Sequence, residues 1–149
     1  EKVVRNSEVP VLVVKHGMPD FAPKSMVFAC DLKEENINAY QRAKYIADQF
    51  DVQLHIVYIN TPGDNFLSTE DIMIKIDKFS SVVGPQFLDV KIYNDYSVEK
   101  GVINYAESEN IDIIGIPTHG RKGLSHFFMG SIGEDIANHS TIPVVTFKI

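Results

Sequence analysis

The chain has a single cysteine, Cys30, among 149 residues, which excludes an intramolecular disulfide framework. Cys30 closes the apolar run Met26 to Cys30, so it reads as a small buried hydrophobe rather than a reactive thiol. No apolar stretch approaches the length of a membrane span, so no membrane partner is expected. A surplus of positive charge is missing too: the net charge of −6 argues against a general nucleic-acid binder. Histidines, cysteines and acids nowhere fall at zinc-ligand spacing, so no metal ligands are assigned. A nucleophile elbow is also absent, because Ser125 in Gly-Leu-Ser-His-Phe lacks the second glycine. With no base beside a nucleophile and no third orienting group, no catalytic residue is assigned. What remains is one ordinary domain of cytoplasmic type, 44% hydrophobic and long enough to bury a core.

Hydrophobic periodicity divides that domain into alternating strands and helices. Ser25 to Asp31 reads as a strand. Glu34 to Phe50 reads as a helix, with Ile37, Tyr40, Ala43, Ala47 and Phe50 along one face. Gln53 to Asn60 is a strand, Thr61 to Asn65 a turn, and Ser68 with Asp71 caps a helix that runs to about Val83. Phe87 to Asn94 is a strand and Ser97 starts a helix to about Ser108. Ile111 to Pro117 is a strand buried on both faces, and after a loop and a fourth helix Ile142 to Lys148 is the last strand. This alternation predicts an α/β fold: an open five-stranded parallel sheet with helices on both faces.

The front of the chain repeats its back. EKVVRNSEVPVLVVK and EDIANHSTIPVVTFK align without a gap at an offset of 133, placing Glu1, Ser7, Pro10, Val11 and Lys15 on Glu134, Ser140, Pro143, Val144 and Lys148. Residues 1–15 are therefore expected to be the helix end and last strand of a preceding copy. The chain is then the second half of a tandem protein, with 16–24 a Pro- and Gly-containing linker and 25–149 the domain. If Val9–Lys15 lies antiparallel beside Ile142–Lys148, it covers an otherwise open edge. With strand order 3-2-1-4-5 counted from Ser25, the linker must step roughly 15 Å, and its residues reach about 30 Å. Pairing within the chain is predicted, and a homodimer formed by exchange of this tail is the other arrangement that satisfies the edge.

The densest local signal is Thr118 to Ser131, THGRKGLSHFFMGS, directly after a buried strand. Arg121 and Lys122 stand there with no acid, opposing the charge of the whole chain. Ser131 and Glu134 form a capping box, the mark of a helix N-terminus with free N–H groups. Gly120 and Gly130 let an anion approach the backbone without a Cβ in the way. The segment thus has the physics of an anion cradle, or of a solvated basic loop. His119 and His126 read as loop hydrogen-bonding residues. Asp31, at the end of the first strand, lies where open α/β sheets bind ligands. It reads both as a cap for the coming helix and as an acceptor for a base or ribose.

These residues resemble the universal stress protein family. Its nucleotide-binding members carry glycine, two residues, glycine, nine residues, glycine and then Ser or Thr after the fourth strand. Gly120, nine residues, Gly130 and Ser131 fit, while the first glycine falls on Pro117, which has no N–H to donate. The resemblance covers about residues 25–149 and implies a Rossmann-like, ATP-binding stress-response module that works by binding, with weak ATP hydrolysis at most and Mg²⁺ accompanying the nucleotide. It implies that Asp31 contacts the nucleoside and the backbone of Ile59 the base. Thr118, His119 and Gly120 would meet the phosphates in the first turn, and Gly130, Ser131 and Ile132 at the helix end. Pro117 favours the alternative, a pairing domain that keeps the fold without the nucleotide.

Overall fold

The computed structural model describes residues 7–84, 88–118 and 132–149. Six strands alternate with helices: β1 (Val11–Val13), β2 (Ser25–Ala29), α1 (Ile37–Gln49), β3 (Gln53–Asn60), α2 (Thr69–Val83), β4 (Val90–Asn94), α3 (Val98–Ser108), β5 (Ile113–Thr118), α4 (Ile132–His139) and β6 (Val144–Lys148). A 3-10 turn at Glu34–Asn36 precedes α1. The strands form one sheet in the order β1-β6-β5-β2-β3-β4. Counted from Ser25, this is the predicted 3-2-1-4-5 arrangement with the extra strand outside the last.

Strand periodicity explains why the sheet has two covered faces. Side chains alternate along β2, so Met26, Phe28 and Cys30 join the core on one side while Val27 and Ala29 join the other. The first core holds Tyr40 and Ala43 of α1 with Ile72 and Phe79 of α2. Its rings meet edge to face: Phe28 and Tyr40 lie 5.9 Å apart at 64°, Tyr40 and Phe79 5.8 Å apart at 69°. The second core packs Val102, Tyr105 and Ala106 of α3 and Ile136 of α4 against Val57, Ile59, Ile114 and Ile116.

Helix starts follow their caps. Ser68 Oγ accepts from the Asp71 N–H at 3.1 Å and donates to the Asp71 carboxylate at 2.7 Å; Ser97 Oγ accepts from the Lys100 N–H at 3.3 Å. Phe50 departs from the expected helix face. The helix stops at Gln49 and Asp51 turns left-handed with φ 52°, so Phe50 falls past the last turn and is 71% exposed. The predicted strand Phe87–Asn94 shortens to Val90–Asn94, with position 87 outside the described residues.

The tail pairs within the chain as predicted. β1 lies antiparallel to β6, with Val11 opposite Thr146, Leu12 opposite Val145 and Val13 opposite Val144. It is shorter than Val9–Lys15 at both ends: it begins after Pro10, which has no N–H to add to the ladder, and stops at Val13. Side chains tie down both flanks: Lys148 Nζ meets Glu8 Oε1, and Lys15 Nζ donates to the Asn138 carbonyl.

Candidate functional site

The parallel register brings three of the expected residues to one level of the sheet. β2 pairs with β3 as Ala29 opposite Val57, and with β5 as Phe28 opposite Gly115. The ladders stop at these pairs, and counting on from them puts Asp31, two residues beyond β2, at the level of Ile59 in β3 and Thr118 in β5. Ile132 follows from a close approach. A Cβ at Gly133 would stand 3.3 Å from Ile116 Cδ1 and 3.6 Å from Thr118 Cγ2, so the first turn of α4 lies against the end of β5. Asp31, Ile59, Thr118 and Ile132 thus gather at the carboxyl end of the sheet. Their expected companions His119, Gly120, Gly130 and Ser131 lie outside the described residues.

Asp31 is 2% exposed, which is costly for a carboxylate without partners. Its Oδ1 accepts from the Lys33 N–H at 3.2 Å and from Asn36 Nδ2 at 2.6 Å. The first of these bonds closes an Asx turn ahead of the 3-10 turn, whose N-cap is Lys33, so Asp31 does not cap the coming helix as expected. Lys33 Nζ stands 2.9 Å from Oδ2. That contact supplies countercharge but lacks the direction of a hydrogen bond, and the buried Oδ2 and Asn36 Oδ1 have no hydrogen-bond donor among the described residues. Lys75 Nζ donates to the Asp31 carbonyl at 3.4 Å. Leu32, between Asp31 and Lys33, takes φ 60°, a left-handed backbone unusual for a bulky side chain. The chain thus doubles back after β2 and presents a buried acid with one oxygen committed.

Asn36, Lys33 and Lys75 were not expected from the sequence. Asn36 had a legible signal: it continues the stripe of Tyr40, Ala43 and Ala47 backward by one helical turn, a polar residue in an apolar line, and it is 2% exposed. The two lysines carried none, since surface lysines are common on any helix.

Ile59 offers backbone only. Its side chain is 1% exposed and packs beneath α3, where a Cβ at Gly101 would come within 2.5 Å of Ile59 Cγ2. Pro117 stays in β5 opposite Phe147, two residues beyond the last β2–β5 pair at Gly115. A residue without an N–H is tolerated there because the ladder to β2 has already ended. Cys30, beside Asp31, is buried, and burial pushes its thiol up to about 12, so it is an inert packing group.

This sheet, with its acid at the switch point between β2 and β5, is accompanied by a sequence match over residues 91–148. What matches is the universal stress protein family. A universal stress protein of Methanocaldococcus jannaschii is 23% identical over 144 residues, covering 84% of this chain and 82% of its own. Among solved structures, a universal stress protein from Archaeoglobus fulgidus superposes with a TM-score of 0.68 at 24% identity over 98% of this chain. The chain spans 52% of that structure, about half its length. A universal stress protein from Archaeoglobus fulgidus in complex with dAMP is also similar, with a TM-score of 0.57 at 16% identity over 85% of this chain and 98% of its own.

Proposed function

We propose that this chain is the second domain of a tandem universal stress protein and a binding module for an adenine nucleotide of the ATP type, acting by binding rather than turnover. The observation that carries it is the buried Asp31 carboxylate at the switch point, level with Ile59 and Thr118, with one oxygen short of a donor. A ribose hydroxyl supplies such a donor, and a carboxylate accepting from it discriminates sharply against ligands that lack it. The complex of a similar universal stress protein with dAMP supports the same ligand class. In this reading the backbone of Ile59 meets the base, Thr118, His119 and Gly120 meet the phosphates, and Gly130, Ser131 and Ile132 close the cradle. In this reading Mg²⁺ accompanies the nucleotide, and no side chain is assigned to hydrolysis.

Isothermal titration tests the proposal. ATP should bind with a dissociation constant below ~1 mM, and Asp31→Asn should weaken it roughly tenfold or more. Gly130→Val should abolish binding while far-UV circular dichroism stays unchanged. Absence of heat in the wild-type chain overturns the nucleotide reading, and retained binding in Gly130→Val moves the site elsewhere. Pro117 and the formed β1–β6 pair favour the second reading, a pairing domain without nucleotide, for which the titration stays silent.

A further inference from the structure

A cleft opens beside Asp31, on the face covered by α1 and α2. It has a volume of about 260 Å³ and lies between the 3-10 turn and α2. Its floor is apolar: Leu32, Ile37 and Phe79 are buried, and Val82 stands at the mouth. Its polar lining is Lys33, Lys75 and Lys78 with one acid, Glu34.

The charge does not cancel once existing contacts are counted. Lys33 is paired with Asp31 at 2.9 Å, which leaves Lys75 and Lys78 against Glu34. Lys75 Nζ rests 5.9 Å from the Tyr58 ring centroid and 3.4 Å from a carbonyl oxygen, so it has met no carboxylate. Lys78 forms no ion pair within 4.0 Å among the described residues. A positive rim over an apolar floor in a chain of net charge −6 selects a ligand with one anionic end and a hydrocarbon body. The strained backbone of Leu32 adds an independent sign, because such conformations collect at ligand clamps and this one lines the floor.

We propose that this cleft binds a small amphiphilic carboxylate, with its hydrocarbon on Leu32, Ile37 and Phe79 and its carboxylate between Lys75 and Lys78. Its volume holds roughly nine water-sized groups. That suits an eight-carbon acid and is too small for a nucleoside triphosphate, so the site is separate from the nucleotide reading.

Titration of the ¹⁵N-labelled chain with sodium octanoate tests this, with octylammonium as the charge control and no nucleotide present. Octanoate should give saturable shifts at the amides of Leu32, Ile37, Phe79 and Val82, with an affinity about tenfold or more above that of octylammonium. Lys78→Gln and Lys75→Gln should each weaken octanoate roughly fivefold with the spectrum otherwise preserved. Equal affinity for the two amphiphiles, octanoate affinity unchanged in both variants, or no saturable shift up to ~10 mM overturns the proposal.

Discussion

Asp31 and Asn36 form a pair whose strength comes from what surrounds them. Both are buried, and the amide of Asn36 supplies the shortest hydrogen bond the carboxylate receives, at 2.6 Å. Asn36→Leu removes that donor while keeping the volume, leaving the acid with the Lys33 amide and ammonium. Stability should fall by about 1–3 kcal/mol in urea unfolding at neutral pH. The loss should shrink in an Asn36→Leu/Asp31→Asn double variant, where no charge is left to satisfy. Of the candidate site, the sequence made the acid legible because a charged residue directly after an apolar run has few places to go. It hid Lys33, because its role depends on the left-handed turn at Leu32, and nothing in a leucine announces a positive φ.

At the scale of elements, sequence signals were reliable where a local bond decides and weak where an end is set by what lies beyond it. Ser68 and Ser97 cap their helices because a hydroxyl and an N–H meet within one turn. Helix α1 instead ends one residue before its apolar stripe does, and a 3-10 turn replaces its expected first turn, since Asp31 holds Asn36 from outside the helix. Gly101 shows the same dependence on packing. In an isolated helix Gly101→Ala would gain about 1 kcal/mol from propensity. Here the added methyl would meet Ile59 Cγ2 at 2.5 Å and Asp95 Cβ at 3.1 Å, with Ile59 fully packed. The variant should therefore be destabilised by roughly 1–2 kcal/mol, measured as a lower urea midpoint with an unchanged slope. Gly17→Ala, where no atom lies within 4 Å, should leave the midpoint where it is.

For the whole molecule, buried titratable groups fix how stability depends on pH. The Cys30 thiol moves from its ordinary 9.0 to about 12 through burial, so above pH 9 the unfolded chain releases a proton that the folded chain keeps. Burial raises Tyr40, Tyr58 and Tyr105 in the same sense. Stability should accordingly decline as pH rises from about 9 towards 12, and Cys30→Ala should flatten part of that decline in urea titrations. At the acid end Asp89 acts oppositely. Hydrogen bonds from Lys91 and then His55 hold it below the ordinary 3.8, so its contribution is present above that value and is lost on acidification. The order of the sheet, including the extra strand, was legible because the internal repeat and the alternation of elements pointed the same way. That repeat also carries a symmetry. Under the offset of 133 residues Leu12 is the counterpart of Val145, and the register sets these two opposite each other, so exchanging the strands maps Val11–Thr146 onto Val13–Val144. A local dyad therefore passes through the Leu12–Val145 pair, and the edge of β6 is complementary to itself. A chain shortened to residues 16–149 should dimerise in sedimentation experiments with Val145 opposite its own copy, an isologous contact that the intact tail pre-empts.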